Sequence, residues 1–201
     1  VVHKGKFWDL SFPGLRPRPV QKPHPPIVRA CISEDSMVAM GKSGRPVLIG
    51  VQTIATLRHR FGRYQEGLES SGLNEVEIER ILDQTWAQRA LFVCDSDQEA
   101  LDIAEAALSK YKAHLFDARV KFNPGGAQLP PPGTPPPDSE IVEHAFLAGT
   151  PTTVAGKLEE LRDIGVRNVL LNPNVGQIDA RKVAKSLRMF GETVIPKFRD
   201  D

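Results

Sequence analysis

The chain is 201 residues long, enough for one domain with a substantial core or for two small ones. Lysine plus arginine number 26 and aspartate plus glutamate 25, a formal net charge of +1, so no excess positive field argues for a nucleic-acid or membrane-surface partner. No run approaches the roughly 20 apolar residues of a membrane span, and two cysteines, Cys31 and Cys94, are too few for a disulfide framework, which implies a reducing, cytoplasmic setting.

The chain opens Val1-Val2-His3-Lys4-Gly5, and the missing initiator methionine implies processing or a piece of something longer. Six of the 17 prolines fall in 13–26 and seven in 124–137. Proline fixes φ and restricts the residue before it, so both patches are expected to be extended or irregular. The first makes 1–26 a proline-rich surface strap leading into a strand at 27–32. A short helix over 33–43 and a strand at Val47–Ile49 follow. Ile54, Leu57, Phe61, Tyr64 and Leu68 recur at three and four, a long amphipathic helix opened by Thr53. Asn74 with Glu77 and Ser96 with Glu99 have capping-box spacing, each before a further helix, with a strand at 90–94 between them. The second proline patch makes 116–140 a lid-like loop. Thr150 and Pro151 then fit an N-cap and first-turn proline, Val154, Leu158 and Leu161 give the apolar stripe, and Gly165 ends that helix. A strand at 169–171 and a last helix from Asp179 carrying Val183, Leu187 and Phe190 complete the chain, stopping before Pro196.

Four short apolar strands joined by helices imply an α/β protein with a parallel sheet and right-handed crossovers. An eight-stranded parallel barrel takes about 250 residues, so four strands with long helices make half of one. A half barrel leaves two strand edges and one core face in need of a partner. A self-contained open sheet is the alternative.

Certain stretches, in their order, carry a resemblance. They are Lys4-Gly5-Lys6-Phe7-Trp8, then Arg16-Pro17-Arg18-Pro19-Val20-Gln21-Lys22-Pro23-His24-Pro25-Pro26-Ile27, Ser33-Glu34-Asp35-Ser36 and Gly44-Arg45-Pro46-Val47-Leu48. Ala148-Gly149-Thr150-Pro151 and Gly165-Val166-Arg167-Asn168 follow near the end. Together they resemble the C-terminal half of the bacterial-luciferase-like flavin monooxygenases, particularly the limonene- and alkanal-monooxygenase-like members. The resemblance implies a (β/α)8 TIM barrel, with this chain covering roughly the last four β/α units. It implies reduced FMN as cofactor, or the deazaflavin F420 in a sister branch, a separate flavin reductase and a small apolar organic substrate. In the family the N-terminal half supplies the histidine tied to oxygen chemistry, part of the isoalloxazine pocket and much of the dimer interface. No catalytic residue is therefore assigned here, and that half, or another subunit, is an expected partner.

The strongest candidate site is Ser33-Glu34-Asp35-Ser36, where a strand ends and a helix begins. A helix start offers free N–H groups and the positive end of the dipole, which suits a phosphate. Through the resemblance, Ser33, Glu34 and Ser36 belong to the flavin site, the two serines matching positions that hold the FMN phosphate. The carboxylates of Glu34 and Asp35 then have to point away from a dianion. Ile32 stands where relatives often carry an acid. Serine at a helix start is also simply an N-cap, and both roles stay open for Ser33. Gly50 and Val51 follow the second strand at the rim where barrel sites lie; relatives often place a bulky or aromatic residue near Val51 beside the flavin. The loop Asn172-Pro173-Asn174-Val175-Gly176 reads as substrate-side or structural, and Gly149-Thr150-Pro151 as helix capping. His3, His24, His59, His114 and His144 show no metal-ligand spacing, and the two cysteines read as buried thiols. Arg58, Arg60 and Arg63 read as a solvated helix face.

The function implied is the C-terminal half of an FMN-dependent monooxygenase. The alternatives are a non-catalytic half barrel that needs a partner chain, and an F420-dependent oxidoreductase of the same fold.

Overall fold

A computed structural model describes residues 1–14, 16–122 and 138–199. Strands β1 (Val2–Lys4) and β2 (Asp9–Ser11) form an antiparallel hairpin, with Val2 opposite Ser11. This hairpin is exposed throughout and lies outside the main sheet. It interrupts the strap expected over 1–26, since three-residue strands are too short to show a period.

The main body then alternates strand and helix. It runs β3 (Arg29–Cys31), α1 (Glu34–Lys42), β4 (Val47–Ile49), α2 (Ile54–Glu69), α3 (Glu75–Leu82) and β5 (Trp86–Val93). It continues α4 (Asp97–Phe122), α5 (Asp138–Ala145), β6 (Leu147–Gly149), α6 (Pro151–Asp163), β7 (Asn168–Asn172) and α7 (Ala180–Thr193), and ends in a 3-10 turn, Ile195–Phe198. Local chemistry sets the helix starts. Ser33, Thr53 and Thr150 each accept the N–H three residues on, Asn74 and Glu77 form a reciprocal capping box, and Asp179 caps α7.

All main-sheet pairings are parallel. Cys31 lies opposite Ile49, Ile49 opposite Ala87, Ala90 opposite Asn172, and Val93 opposite Gly149. The α/β class with a parallel sheet is as expected, but the sheet has five strands rather than four. The extra one, β6, is the tripeptide Leu-Ala-Gly directly before the α6 cap. The loop expected over 116–140 is shorter than that. Residues 116–122 continue α4 and 138–140 begin α5, while 123–137 lie outside the described residues. Helix-compatible residues persist right up to Phe122, and the prolines that broke the pattern start only at 124.

The strands of β4 and β5 send Val47, Ile49, Ala87, Leu91 and Val93 to one face, against Leu57, Phe61, Tyr64, Leu68 and Leu161. Ala90, Phe92 and Cys94 take the opposite face and pack on Ala100, Ala104 and Leu108 of α4 and Val142 of α5. The far half of β5 is thus covered on both sides, which is why it reads as an unbroken apolar run. Nearer its start the second face is open: Trp86 is 38% exposed and Leu170 44%. Cys31 and Cys94 are both buried and unbridged.

Two contacts set the positions of the helices. Helices α1 and α2 meet backbone to backbone, and a Cβ on Gly41 would stand 2.4 Å from the Tyr64 carbonyl oxygen and 3.1 Å from Gly67 Cα. At the other turn Asp97 Oδ1 accepts the Thr150 N–H at 2.6 Å, tying the start of α4 to that of α6. Gly149 lies between them at φ +146°, where a Cβ would stand 2.7 Å from Asp97 Oδ1. One buried charge is not matched. Arg89, 1% exposed, donates to the Gln88 carbonyl at 2.8 Å, and its Nη2 has no acceptor among the described residues.

These contacts give three expectations. Gly41→Ala should destabilise the fold by about 2–3 kcal/mol in urea unfolding, because the obstruction is backbone. Arg89→Met should stabilise it. Burial pulls the Arg89 pKa down to about 10, so below that pH the folded state carries a charge it disfavours, at a cost on the order of 3 kcal/mol. Loss of the Gln88 contact offsets about 1 kcal/mol, leaving a rise in thermal midpoint of about 5 °C at neutral pH. Asp97 is held below the usual carboxylate range, first by the Thr150 N–H and then by the Thr153 hydroxyl. Its contribution is present at neutral pH and lost as the pH falls through that lowered value. Asp97→Ala should therefore cost about 1 kcal/mol at pH 7, and the two proteins should converge in acid thermal scans.

Candidate functional site

The C-terminal ends of β3 and β4 bring two turns side by side. The first runs from Ile32 to Ser36. Ser33 has an extended backbone (φ −80°, ψ 151°), and its Oγ accepts the Ser36 N–H at 3.3 Å. The Ser36 hydroxyl donates to the Ser33 carbonyl at 2.9 Å, and Met37 N–H reaches the same oxygen at 3.2 Å. The two hydroxyls lie 3.0 Å apart. The amides of Glu34 and Asp35 are left as first-turn donors with no acceptor within the helix. Ser33 is therefore an N-cap, and the turn it closes also presents two hydroxyls and two amides.

The carboxylate of Glu34 turns away towards α2. Its Oε2 lies 3.1 Å from His59 Nε2 and its Oε1 3.6 Å from Arg63 Nε. Asp35 is exposed. An anion at the helix start would meet Glu34 already paired, so only the Glu34 backbone amide is offered to it. The next residue along α2, Arg60, donates from Nη1 to the Ile32 carbonyl at 2.6 Å and to Gln52 Oε1 at 2.7 Å. Arg63 is exposed, as the sequence implied, but Arg60 is half-buried, and both reach the Ile32–Glu34 turn. The reading missed this because the partners are 28 residues apart and helix spacing alone does not show them. Arg58 is exposed and lines a different cleft, with Glu140, Glu143, His144 and Lys157.

The second turn holds Gly50, Val51 and Gln52. Gly50 N–H donates to the Cys31 carbonyl at 3.0 Å, which joins the two turns, and a Cβ there would stand 2.9 Å from Ile32 Cγ1. Val51 is half-buried and packs on the cluster of Ala90, Phe92 and Cys94. Gln52 was not singled out from the sequence. Its Oε1 serves Arg60, and its Nε2 is buried with no partner among the described residues. A spare donor on the turn that Arg60 ties to the first, with that turn's hydroxyls and amides, is chemistry that a phosphorylated, hydrogen-bonding cofactor fits.

The other candidates resolve into structure. The Asn172 side chain accepts Asn174 N–H at 3.3 Å, Val175 and Ile178 pack on the second cluster, and a Cβ on Gly176 would overlap the Ala107 carbonyl. That loop is clamped by α4. The Thr150 amide is already engaged by Asp97, so the Gly149-Thr150-Pro151 start is not free for an anion. Among the described residues no group of histidine, cysteine and carboxylate side chains could hold a metal ion. No helix there is long and apolar enough to cross a membrane. A cleft of about 700 Å³ lies at the opposite end of the sheet, lined by Leu82, Leu158, Leu161, Val166, Phe190 and Phe198. Strand ends of the C-terminal side, not this end, carry sites in parallel α/β folds.

The chain is similar to several known proteins. Over 225 aligned positions the chain is 25% identical to 2,5-diketocamphane 1,2-monooxygenase 1 of Pseudomonas putida, covering 98% of this chain and 60% of that protein. The fold matches the oxygenating constituent of 3,6-diketocamphane monooxygenase from Pseudomonas putida, a type II Baeyer-Villiger monooxygenase in complex with FMN. That match has a TM-score of 0.57 and 18% identity, over 98% of this chain and 58% of that one. It also matches an F420-dependent secondary alcohol dehydrogenase at a TM-score of 0.65 and 15% identity, over the whole of this chain and 56% of that one. The chain thus spans about three fifths of such relatives. The model of the luciferase-like monooxygenase family matches residues 1–168, and with that match the chain belongs to the luciferase-like monooxygenases.

Proposed function

We propose that this chain holds the flavin phosphate of an FMN-dependent monooxygenase acting on a small apolar organic molecule. The observation that carries the reading is the Ser33–Ser36 turn. It presents two hydroxyls and two unengaged amides at the C-terminal end of β3, while one of its two carboxylates, Glu34, is paired on α2 and the other, Asp35, is exposed. Ser33 and Ser36, with the Glu34 and Asp35 amides, would hold the phosphate; Gly50 and Val51 would lie beside the flavin, with Gln52 Nε2 as a further donor. Reduced FMN, when bound, supplies the electrons that activate oxygen; these residues supply binding and orientation. A relative of the same fold is an oxygenating constituent seen with FMN, which supports a separate reductase as electron source. F420 is the second reading, favoured by the fold match to an F420-dependent dehydrogenase, whose TM-score of 0.65 exceeds the 0.57 of the FMN-bound structure.

Oxygenation needs more of the barrel than these strands. The face carrying Trp86, Leu170 and, past the end of β3, Ile32 at 66% exposure is open, and the chain spans about three fifths of its relative's length. The remaining β/α units of the barrel would close that face. Substrate and oxygen would then react between the two halves.

In a fluorescence titration, the chain should bind FMN more tightly than riboflavin, which lacks the phosphate. The double variant Ser33→Ala with Ser36→Ala should erase most of that difference, about tenfold in dissociation constant. Equal binding of FMN and riboflavin by the unaltered chain would overturn the reading.

A further inference from the structure

We infer that Arg60 is the positioning residue of the phosphate turn, a role that rests on the flavin-site reading above. Its Nη1 carries two N–H bonds and directs one to each turn of the site, to the Ile32 carbonyl at 2.6 Å and to Gln52 Oε1 at 2.7 Å. The Ile32 carbonyl and the Ser33 N–H belong to one rigid peptide plane. Holding that oxygen therefore fixes the direction in which the chain enters Ser33, and with it the hydroxyls and amides of the following turn. The second bond acts on Gln52. A guanidinium has no acceptor, so Gln52 must offer it the carbonyl oxygen. That leaves the Gln52 Nε2 as the spare donor and sets its orientation at the end of β4.

The platform beneath Arg60 is rigid. On the preceding and following turns of α2, Leu57, Phe61 and Tyr64 are fully buried, and the helix meets α1 through the Gly41–Gly67 backbone contact. The Tyr64 hydroxyl adds a bond to the Arg45 carbonyl at 2.9 Å, just before β4. On either side of Arg60, His59 and Arg63 pair with Glu34, the first helical residue after Ser33. The turn is thus gripped by its entering peptide and by its first side chain, both from one helix. Arg60 acts on the ligand through this turn rather than by touching it.

The test compares FMN with riboflavin on the full chain, in the unaltered protein and in the variants Arg60→Met and Arg60→Lys. Met keeps the aliphatic stem and removes both donors. It should weaken FMN about tenfold and riboflavin far less, so that the preference for the phosphate is what disappears. Lys keeps the charge but replaces the planar fork with a compact ammonium, and it should also lose most of the preference. Wild-type FMN affinity in Arg60→Lys would show that charge alone suffices and would overturn the positioning role. So would an undiminished preference in Arg60→Met, or a loss of both ligands to the same degree. If Arg60→Met fails to fold, as read by circular dichroism, Arg60→Lys decides. No FMN preference in the unaltered chain would instead refute the flavin site itself, and this inference with it.

Discussion

Strand β5 is the spine of the sheet: β4, β6 and β7 all hydrogen-bond to it, and β3 reaches it through β4. At eight residues it is the longest strand among the described residues, and it serves two roles along its length. Trp86 to Ala90 pair with β7, and Leu91 to Val93 pair with β6. Helix α7 is fastened to the same strand, with the Ser186 hydroxyl accepting the Val93 N–H at 2.7 Å. The two turns of the candidate site hang from β3 and β4, so their separation is set by strands that are themselves registered on β5.

The legible parts of this fold are the ones that local chemistry fixes. Thr53, the pair Asn74 and Glu77, and Thr150 with Pro151 each mark a helix start in a few consecutive residues, and the structure has those caps. The strands before α1 and α2 showed as short apolar runs. Leu147–Gly149 did not, because three small or apolar residues against a cap have no period to detect. It becomes a strand only because β5 offers it an edge, and because Lys157 reaches back to the carbonyls of Phe146 and Ala148 at 3.1 and 3.2 Å. The hairpin of β1 and β2 is likewise invisible, because two three-residue strands show no period.

At the site, Ser33 and Ser36 were legible as a cap, and their link to a phosphate came through family resemblance. What sequence could not show was why a helix start flanked by Glu34 and Asp35 should tolerate an anion. For Glu34 the answer lies in α2, where the half-buried Arg60 and the exposed His59 and Arg63 reach across to the neighbouring turn. Burial classes cannot be inferred from spacing when the partner is a loop, since a loop has no stripe to match. Gln52 was passed over for a similar reason: an amide at a turn carries no signature until its oxygen is claimed and its nitrogen is not.

The dependence of the sheet on β5 also bears on how the chain is made. A ribosome delivers β3, β4 and β5 early, and the strand that covers Trp86 to Ala90 arrives only with residues 168–172. At about 5–20 residues per second, several seconds pass in which this part of β5 has a vacant hydrogen-bonding edge. That interval is when a parallel strand from another molecule could take the place meant for β7. Expression yield of this protein should thus be governed less by the stability of the finished fold than by how long that edge stays uncovered.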